Sequence, residues 1–176
     1  MGHLILITGG SRSGKSRFAQ DMAQRVGGED VAFIATCQPL DEEMAARIAT
    51  HQADRPQEWR TVEAPLRLAD AVRDCGAGTV LVDCLTLFIT NVLLAHDGDH
   101  ASAEAAVGAE LGRLVEVVGE SDITVIVVTN DVCMGLVPEY PLGRAFRDIA
   151  GRAGQLLASH ADEVYLTVLG LPMRLK

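Results

Sequence analysis

The N-terminal part of the chain reads LILITGGSRSGKS at residues 4–16. The apolar run at 4–7 has the composition of a buried strand, and Gly9–Ser16 matches the phosphate-loop pattern GxxxxGK[ST] in full. Such a loop follows a strand and opens a helix, because backbone N–H groups of the loop and of the helix N-terminus hold the phosphate oxygens. The stretch therefore predicts an α/β protein that binds a nucleoside triphosphate.

Each position of this loop has an expected role in holding the nucleotide. Lys15 is expected to reach the β- and γ-phosphates and to act in catalysis, and the Ser16 hydroxyl is expected to ligate Mg²⁺. The predicted nucleotide contacts are Gly9, Gly10, Ser11, Arg12, Ser13, Gly14, Lys15 and Ser16. An ordinary glycine-rich turn is the alternative, and the pattern identifies neither the base nor the acceptor of the phosphate.

Short apolar runs alternate with helical patterns along the rest of the chain. Runs that are apolar on both faces are typical of parallel strands covered on both sides, and strand–helix alternation favours right-handed crossovers. The predicted strands are 4–8, 31–35, 79–83, 123–129 and 164–169, and the predicted helices are 16–25, 41–52, 66–74, 102–118 and 143–160. We therefore predict a three-layer α/β fold with a mainly parallel central sheet, formed as a single domain over residues 1–176.

Composition excludes several classes of protein. The 176 residues are 48% hydrophobic and 22% charged, which is typical of a globular domain and not of a disordered or collagen-like chain. The net charge of −9 disfavours binding to nucleic acid or to an anionic membrane surface. No apolar run approaches the roughly 20 residues that span a bilayer, so we expect no stable membrane insertion. The four cysteines form no CxxC pair, and the N-terminus does not read as a secretory signal, so we expect a reduced, cytoplasmic protein.

An acidic residue at the end of a second apolar strand is the expected partner of the phosphate loop. Asp83 follows the run 79–82 and would hold Mg²⁺ directly or through water. Asp131, after 125–130, is a weaker competitor for the same role. A carboxylate that only caps the end of its strand is the structural alternative for Asp83.

A histidine in the predicted helix 41–52 has two interpretations. His51 lies between Arg47 and Arg55, near the end of a segment that Pro56 terminates. A half-buried histidine beside surface arginines is the simpler interpretation. A nucleophile that attacks an α-phosphorus and expels pyrophosphate is the other, because nearby arginine charge lowers a histidine pKa and keeps the imidazole neutral.

Motifs spread over nearly the whole chain resemble those of one enzyme family. They are the segments 8–16, 34–36, 41–48, 55–56, 59–63, 83–86, 128–132, 134–138 and 146–152, and the single residues His51 and Asn91. On these motifs the chain resembles the bifunctional adenosylcobinamide kinase / adenosylcobinamide-phosphate guanylyltransferase family of cobalamin biosynthesis. It departs from the family pattern at Cys133, where Gly is usual, and at Gly154, where Asn is usual.

The resemblance implies two reactions on a P-loop domain of the RecA-like type. One phosphorylates the aminopropanol hydroxyl of adenosylcobinamide with GTP or ATP. The other moves GMP from GTP onto adenosylcobinamide phosphate through a guanylylated histidine, which the match places at His51. The resemblance further implies a homotrimer and GTP contacts at Ala35, Thr36, Cys37, Gln52, Ala53, Asp54, Arg55, Glu63 and Asp83.

Several questions stay open on the sequence alone. A monofunctional small-molecule kinase, a nucleotide-binding regulatory subunit and a guanylyltransferase without kinase activity share many of these residues. Trp59 either packs in the core or stacks on a corrin ring. A loop that grips the β- and γ-phosphates does not suit in-line attack at the α-phosphorus, so we expect the segment 38–56 to move between the two reactions.

Overall fold

The structure is a computed structural model that describes residues 1–38 and 55–176. Its strands are β1 (His3–Gly9), β2 (Val31–Ala35), β3 (Arg60–Glu63), β4 (Thr79–Asp83), β5 (Thr124–Val128), β6 (Glu163–Val168) and β7 (Leu171–Arg174). They form one seven-stranded sheet in the order β3-β2-β4-β5-β1-β6-β7. All neighbouring strands are parallel except β6 and β7, which pair antiparallel.

Helices cover both faces of this sheet. They are α1 (Lys15–Gly27), α2 (Leu68–Asp74), α3 (Leu85–Ala95), α4 (His100–Gly119) and α5 (Pro141–His160). Because successive residues of a strand point to opposite faces, Leu4 and Leu6 pack in the core with α2 to α5, whereas Ile5 and Ile7 pack with Met22 of α1. Within residues 1–38 and 55–176, no helix combines the length and the apolar character needed to cross a membrane.

The predicted fold class, a three-layer α/β fold of the P-loop type with a mainly parallel sheet, is confirmed. All five predicted strands are present, and four of the predicted helices are present with ends that differ by one or two residues. The fifth predicted helix, 41–52, lies outside the described residues. Three elements were not predicted from the sequence: the edge strands β3 and β7, and the helix α3.

The parallel sheet brings the ends of distant strands to one edge. Ala35 pairs in register with Glu63 on one side and with Asp83 on the other. Asp83 in turn pairs with Val128, whose other neighbour is Ile7 of the strand that leads into the phosphate loop. Because these strands are parallel and neighbouring strands lie about 4.8 Å apart, the carboxyl ends of β2, β3 and β4 and the phosphate loop lie along the same side of the sheet, where the strands end. We call this side the sheet edge of the site.

Candidate active site

The phosphate loop connects β1 to α1, and the backbone N–H groups at the N-terminus of α1 are left without a capping side chain. Arg12 and Gly14 both adopt left-handed backbone conformations, with φ of 55° and 92°. No side chain caps α1, and its first turn contains no acidic residue. The N–H groups and the positive end of this helix are therefore directed at the loop, which is the environment that binds a phosphate.

Lys15 is held inside the loop. Its side chain is buried, with 8% of the residue exposed, and Nζ donates a hydrogen bond to the Gly10 carbonyl oxygen at 3.0 Å. Burial lowers the pKa of Lys15, while Cys84 and Asp83 act in the opposite direction. A bound phosphate would add negative charge beside an ammonium group that has already lost much of its water, and the attraction between them is stronger for that reason.

The β6–β7 hairpin supports the phosphate loop from the side. The Gly170 N–H donates to the Ser13 carbonyl oxygen at 2.9 Å, and a Cβ atom added at Gly14 would lie 3.0 Å from the Gly170 Cα. Gly170 itself has a φ of +82°, a left-handed conformation that glycine adopts without strain. Sequence reasoning missed this support, because only the fold brings the two segments together.

Gly9 offers a direct test of how tightly the loop is packed. A Cβ atom at Gly9 would lie 2.5 Å from the Thr167 carbonyl oxygen and 2.6 Å from Ser13 Oγ. We expect Gly9→Ala to displace the loop and to weaken nucleotide binding by about 10-fold or more, in line with the cost of overpacking a well-packed site. Isothermal titration with GTP measures the change. Gly154→Ala is the control, because a Cβ there meets nothing within 4 Å, and equal affinities of the two variants would contradict the prediction.

Arg55 lies near the sheet edge, close to Asp83. Its guanidinium carbon is 3.3 Å from the centroid of the Phe33 ring, and its Nη1 donates to Thr61 Oγ1 at 3.4 Å. Burial lowers the pKa of Arg55, and the charge of Asp83 opposes that effect. The charge of Asp83 thus acts on two cations, Arg55 and Lys15.

Asp131, the competing carboxylate, is engaged in local structure. Its N–H donates to the Gly9 carbonyl oxygen at 2.9 Å, and its Oδ1 accepts from the Cys133 N–H at 3.0 Å. This carboxylate caps a turn beside the loop, whereas the charge of Asp83 acts on Lys15 and on Arg55. Within residues 1–38 and 55–176, no cluster of three His, Cys, Asp or Glu side chains is arranged to hold a metal ion by itself.

Thr36 and Cys84 connect the ends of β2 and β4. Thr36 Oγ1 accepts from the Cys84 N–H at 2.9 Å and donates to the Cys84 carbonyl oxygen at 2.8 Å. The Cys84 thiol contacts Thr86 Oγ1 at 2.9 Å and is buried. Burial, followed by the charge of Asp83, raises the pKa of Cys84 to about 11.

The raised pKa of Cys84 predicts slow alkylation of this thiol. Thiolate is the reactive form, so at pH 8 the folded protein should be alkylated at Cys84 by iodoacetamide at roughly 1% or less of the rate in urea. A pulse of iodoacetamide followed by peptide mass spectrometry, with and without urea, measures both rates. Comparable rates in the two conditions would contradict the prediction.

The other residues predicted to touch a ligand lie in three places: the core, the sheet edge and the part of the chain outside the described residues. The alternative that Trp59 stacks on a corrin ring is wrong, because the residue is 6% exposed and its Nε1 donates to the Gly28 carbonyl oxygen at 3.1 Å within the core. Ala35, Cys37 and Glu63 lie at the site edge, half-buried or exposed. His51, Gln52, Ala53 and Asp54 lie outside the described residues, as does most of the segment 38–56 that was expected to move.

Sequence comparison extends over nearly the whole chain. A family model described as cobinamide kinase / cobinamide phosphate guanyltransferase matches residues 5–175. The chain is 43% identical to the bifunctional adenosylcobalamin biosynthesis protein CobU of Escherichia coli (strain K12), over 98% of this chain and 99% of that protein. It is 45% identical to the bifunctional adenosylcobalamin biosynthesis protein CobP of Pseudomonas aeruginosa, over 97% of this chain and 96% of that protein. A solved KaiC-like protein from the archaeon Pyrococcus horikoshii aligns with 94% of this chain and 70% of its own, at 15% identity and a TM-score of 0.48. The chain therefore belongs to the cobinamide kinase / cobinamide phosphate guanyltransferase family.

Proposed function

We propose that this chain, as one domain, phosphorylates adenosylcobinamide and then converts the product to adenosylcobinamide-GDP with GTP. The observation that carries this proposal is the shared sheet edge, where an open phosphate loop lies beside the ends of β2, β3 and β4. The loop serves a triphosphate, and the strand ends supply Ala35 and Glu63 for the nucleoside side of the site and Asp83 for the metal ion beside the phosphates. Family membership supplies the acceptor.

Phosphoryl transfer uses the phosphate loop. The acceptor hydroxyl oxygen attacks the γ-phosphorus of GTP or ATP, the bond from that phosphorus to the bridging oxygen breaks, and the nucleoside diphosphate leaves. The hydroxyl proton passes to solvent water. The α1 N-terminus and Lys15 stabilise the charge on the transferring group. The half-buried Ser16 hydroxyl and the Asp83 carboxylate are the hard oxygen donors that Mg²⁺ prefers, and two such donors suit an ion that keeps its waters and the phosphates as further ligands. Bound Mg²⁺ would neutralise phosphate charge.

Guanylyl transfer uses His51 as the nucleophile. An imidazole nitrogen attacks the α-phosphorus of GTP, the bond from Pα to the oxygen that bridges it to Pβ breaks, and pyrophosphate leaves. The phosphate of adenosylcobinamide phosphate then attacks the same phosphorus, the P–N bond breaks and His51 is regenerated. The proposed GTP contacts are Ala35, Thr36, Cys37, Gln52, Ala53, Asp54, Arg55, Glu63 and Asp83. The proximity of Arg55 to Asp83 supports the grouping of these residues around one nucleotide.

The proposal includes assembly and location. A homo-oligomer, a trimer by family resemblance, is supported by large apolar side chains that the monomer leaves exposed. On the edge strand β7, Leu171 and Met173 are 68% and 54% exposed, and in the loop before α5 Leu136 is 98% exposed. Exposed apolar area of this kind marks interaction surfaces. A cytoplasmic location fits an enzyme that consumes nucleoside triphosphates, and neither reaction needs nucleic acid.

Two labels separate the two reactions. With Mg²⁺, adenosylcobinamide and γ-labelled GTP or ATP, we expect label in adenosylcobinamide phosphate. With α-labelled GTP and no acceptor, we expect acid-labile, alkali-stable label on the protein, which adenosylcobinamide phosphate then removes as adenosylcobinamide-GDP. Transfer of the γ-label without labelling of the protein would reduce the function to a monofunctional kinase. Nucleotide binding with neither transfer would overturn the proposal in favour of a regulatory nucleotide-binding protein.

A further inference from the structure

Asn91 on α3 joins two of the segments that border the nucleotide site. The residue is buried, at 8% exposure, and its single Nδ2 group donates to the Thr36 carbonyl oxygen at 2.8 Å and to the Pro65 carbonyl oxygen at 3.1 Å. Thr36 directly follows β2, and Pro65 follows β3 by two residues. One side-chain amide thus fixes the distance between the two chain segments that leave β2 and β3.

Thr36 extends this connection to a third strand. The Thr36 side chain is fully buried, and its Oγ1 both accepts from and donates to the Cys84 backbone at 2.9 and 2.8 Å. Cys84 directly follows Asp83. The bonds from Asn91 to Thr36 and to Pro65, and from Thr36 to Cys84, therefore tie the segments that follow β2, β3 and β4 into one network.

The network lies just beyond the ends of the strands, where the carbonyl oxygens need hydrogen-bond donors from side chains. The paired registers of β2, β3 and β4 end at Ala35, Glu63 and Asp83, and the Ala64 N–H makes one further backbone bond, to the Ala35 carbonyl oxygen at 2.9 Å. The Thr36 and Pro65 carbonyl oxygens lie beyond this pairing and accept from the Asn91 side chain instead. A buried carbonyl oxygen without a donor costs free energy, and asparagine supplies two N–H donors from one short side chain. Leucine has a similar volume and no donor.

We propose that Asn91 is a positioning residue for the nucleoside side of GTP, acting through Thr36 and Pro65 on the segments that carry Ala35 and Glu63. This inference rests on the proposed function, which assigns those two residues to the nucleoside side of GTP. Among the contacts of the described residues, Asn91 makes none with the phosphate loop, which is supported by Gly170 instead. Loss of the Asn91 bonds should consequently weaken recognition of the nucleoside far more than recognition of the phosphate chain.

The test compares two ligands of the same protein, GTP and inorganic tripolyphosphate. The variants are Asn91→Leu, which removes both donors, Thr36→Val, which removes one hydroxyl at nearly constant volume, and the double variant. Val92→Ala is the control, because it truncates a core residue of the same helix that belongs to no part of this network. For each protein, we measure the Kd values for both ligands. We also measure kcat and KM for GTP in the formation of adenosylcobinamide-GDP, where the acceptor regenerates the enzyme.

We expect Asn91→Leu and Thr36→Val to raise the Kd and KM for GTP about 10-fold or more, which corresponds to the loss of one or two buried hydrogen bonds. We expect the Kd for tripolyphosphate to stay within about 2-fold, and the double variant to lose less than the product of the single effects, because the two residues act as one network. Val92→Ala should lower Tm and leave both Kd values unchanged.

Equal weakening of GTP and tripolyphosphate would overturn the proposal, since it would indicate a general loss of structure. Unchanged GTP binding by Asn91→Leu would overturn it as well. If Asn91→Leu does not fold, Asn91→Ser decides instead, because it removes the Nδ2 donors, keeps a small polar side chain and leaves Thr36 intact. Failure of the wild-type protein to become labelled would instead count against the proposed guanylyl transfer, and the comparison of the two ligands would still decide the role of Asn91.

Discussion

Replacing Lys15 with methionine is expected to lower the kcat of phosphoryl transfer by roughly 10²–10³-fold and to leave the fold intact. The Lys15 ammonium group is buried against the Gly10 carbonyl oxygen, in the loop where the phosphates are proposed to bind. Removing a preorganised charge from a site of this kind costs roughly 10²–10³-fold in kcat. Methionine has a similar length, so the loss of kcat reports the missing charge and not a cavity left by the side chain.

The direction of the Lys15 pKa shift adds a prediction about stability. Because burial lowers this pKa, keeping Lys15 charged in the folded protein reduces the free energy of unfolding. Lys15→Met removes this destabilising effect. We therefore expect the Tm of Lys15→Met to equal or exceed that of the wild type while activity is lost. Differential scanning calorimetry, together with transfer of the γ-label to adenosylcobinamide, measures the two quantities on the same sample.

Lys176→Met is the matched control for this experiment. Lys176 is the only other lysine of the chain, is exposed, and donates from its Nζ to the carbonyl oxygens of Ala158 and Ser159 at 3.2 Å. Its replacement should leave phosphoryl transfer unchanged. Full kinase activity in Lys15→Met would contradict the assigned role, and a large fall in Tm would indicate that Lys15 serves the structure instead.

The central part of the fold could be predicted because burial on both faces leaves a local signal. A strand such as Thr79–Asp83 has neighbours on both sides and helices above and below, so its three inner positions are all apolar. The phosphate loop is equally local, since strand, loop and helix are contiguous. Both features can be recognised from fewer than about 20 residues.

The missed elements lack such a signal. The edge strands β3 and β7 are short and mostly exposed, so their sequences show neither a continuous apolar run nor a strict alternation. Pro172 is a residue that central strands exclude, but β7 lies at the edge of the sheet, where proline is tolerated. Helix α3 is apolar around nearly its whole circumference, which removes the helical period from its sequence.

The supports of the candidate site could not be predicted for a different reason. The Gly170 bond to Ser13 and the Asn91 bond to Thr36 join residues that are far apart in the sequence. Neither glycine nor asparagine has a pattern that indicates such a partner. Sequence motifs therefore predicted the groups expected to touch the nucleotide, whereas the residues that hold those groups in place became visible only in the fold.

His51→Ala is expected to abolish protein labelling by α-labelled GTP and to leave phosphoryl transfer within about 3-fold of the wild type. The physical reason is that a covalent guanylyl intermediate needs the imidazole, whereas attack of the acceptor hydroxyl on a γ-phosphate does not. Lys15→Met should reduce both reactions, because both use a triphosphate held by the same loop. The two variants together thus separate the binding of the triphosphate, which both reactions share, from the formation of the guanylyl-histidine, which only guanylyl transfer needs.

His160→Ala is the matched control for His51, since His160 is an exposed histidine at the end of α5 that lies in no predicted site. The His160→Ala protein should be labelled by α-labelled GTP to the same extent as the wild type. The labelled peptide of the wild type should contain residue 51, and phosphoramidate chemistry requires its label to be lost in acid and retained in alkali. Labelling of His51→Ala at the wild-type level would place the nucleophile elsewhere. Loss of both reactions in His51→Ala, with an unchanged Tm, would show that the two reactions share this residue and would overturn their separation.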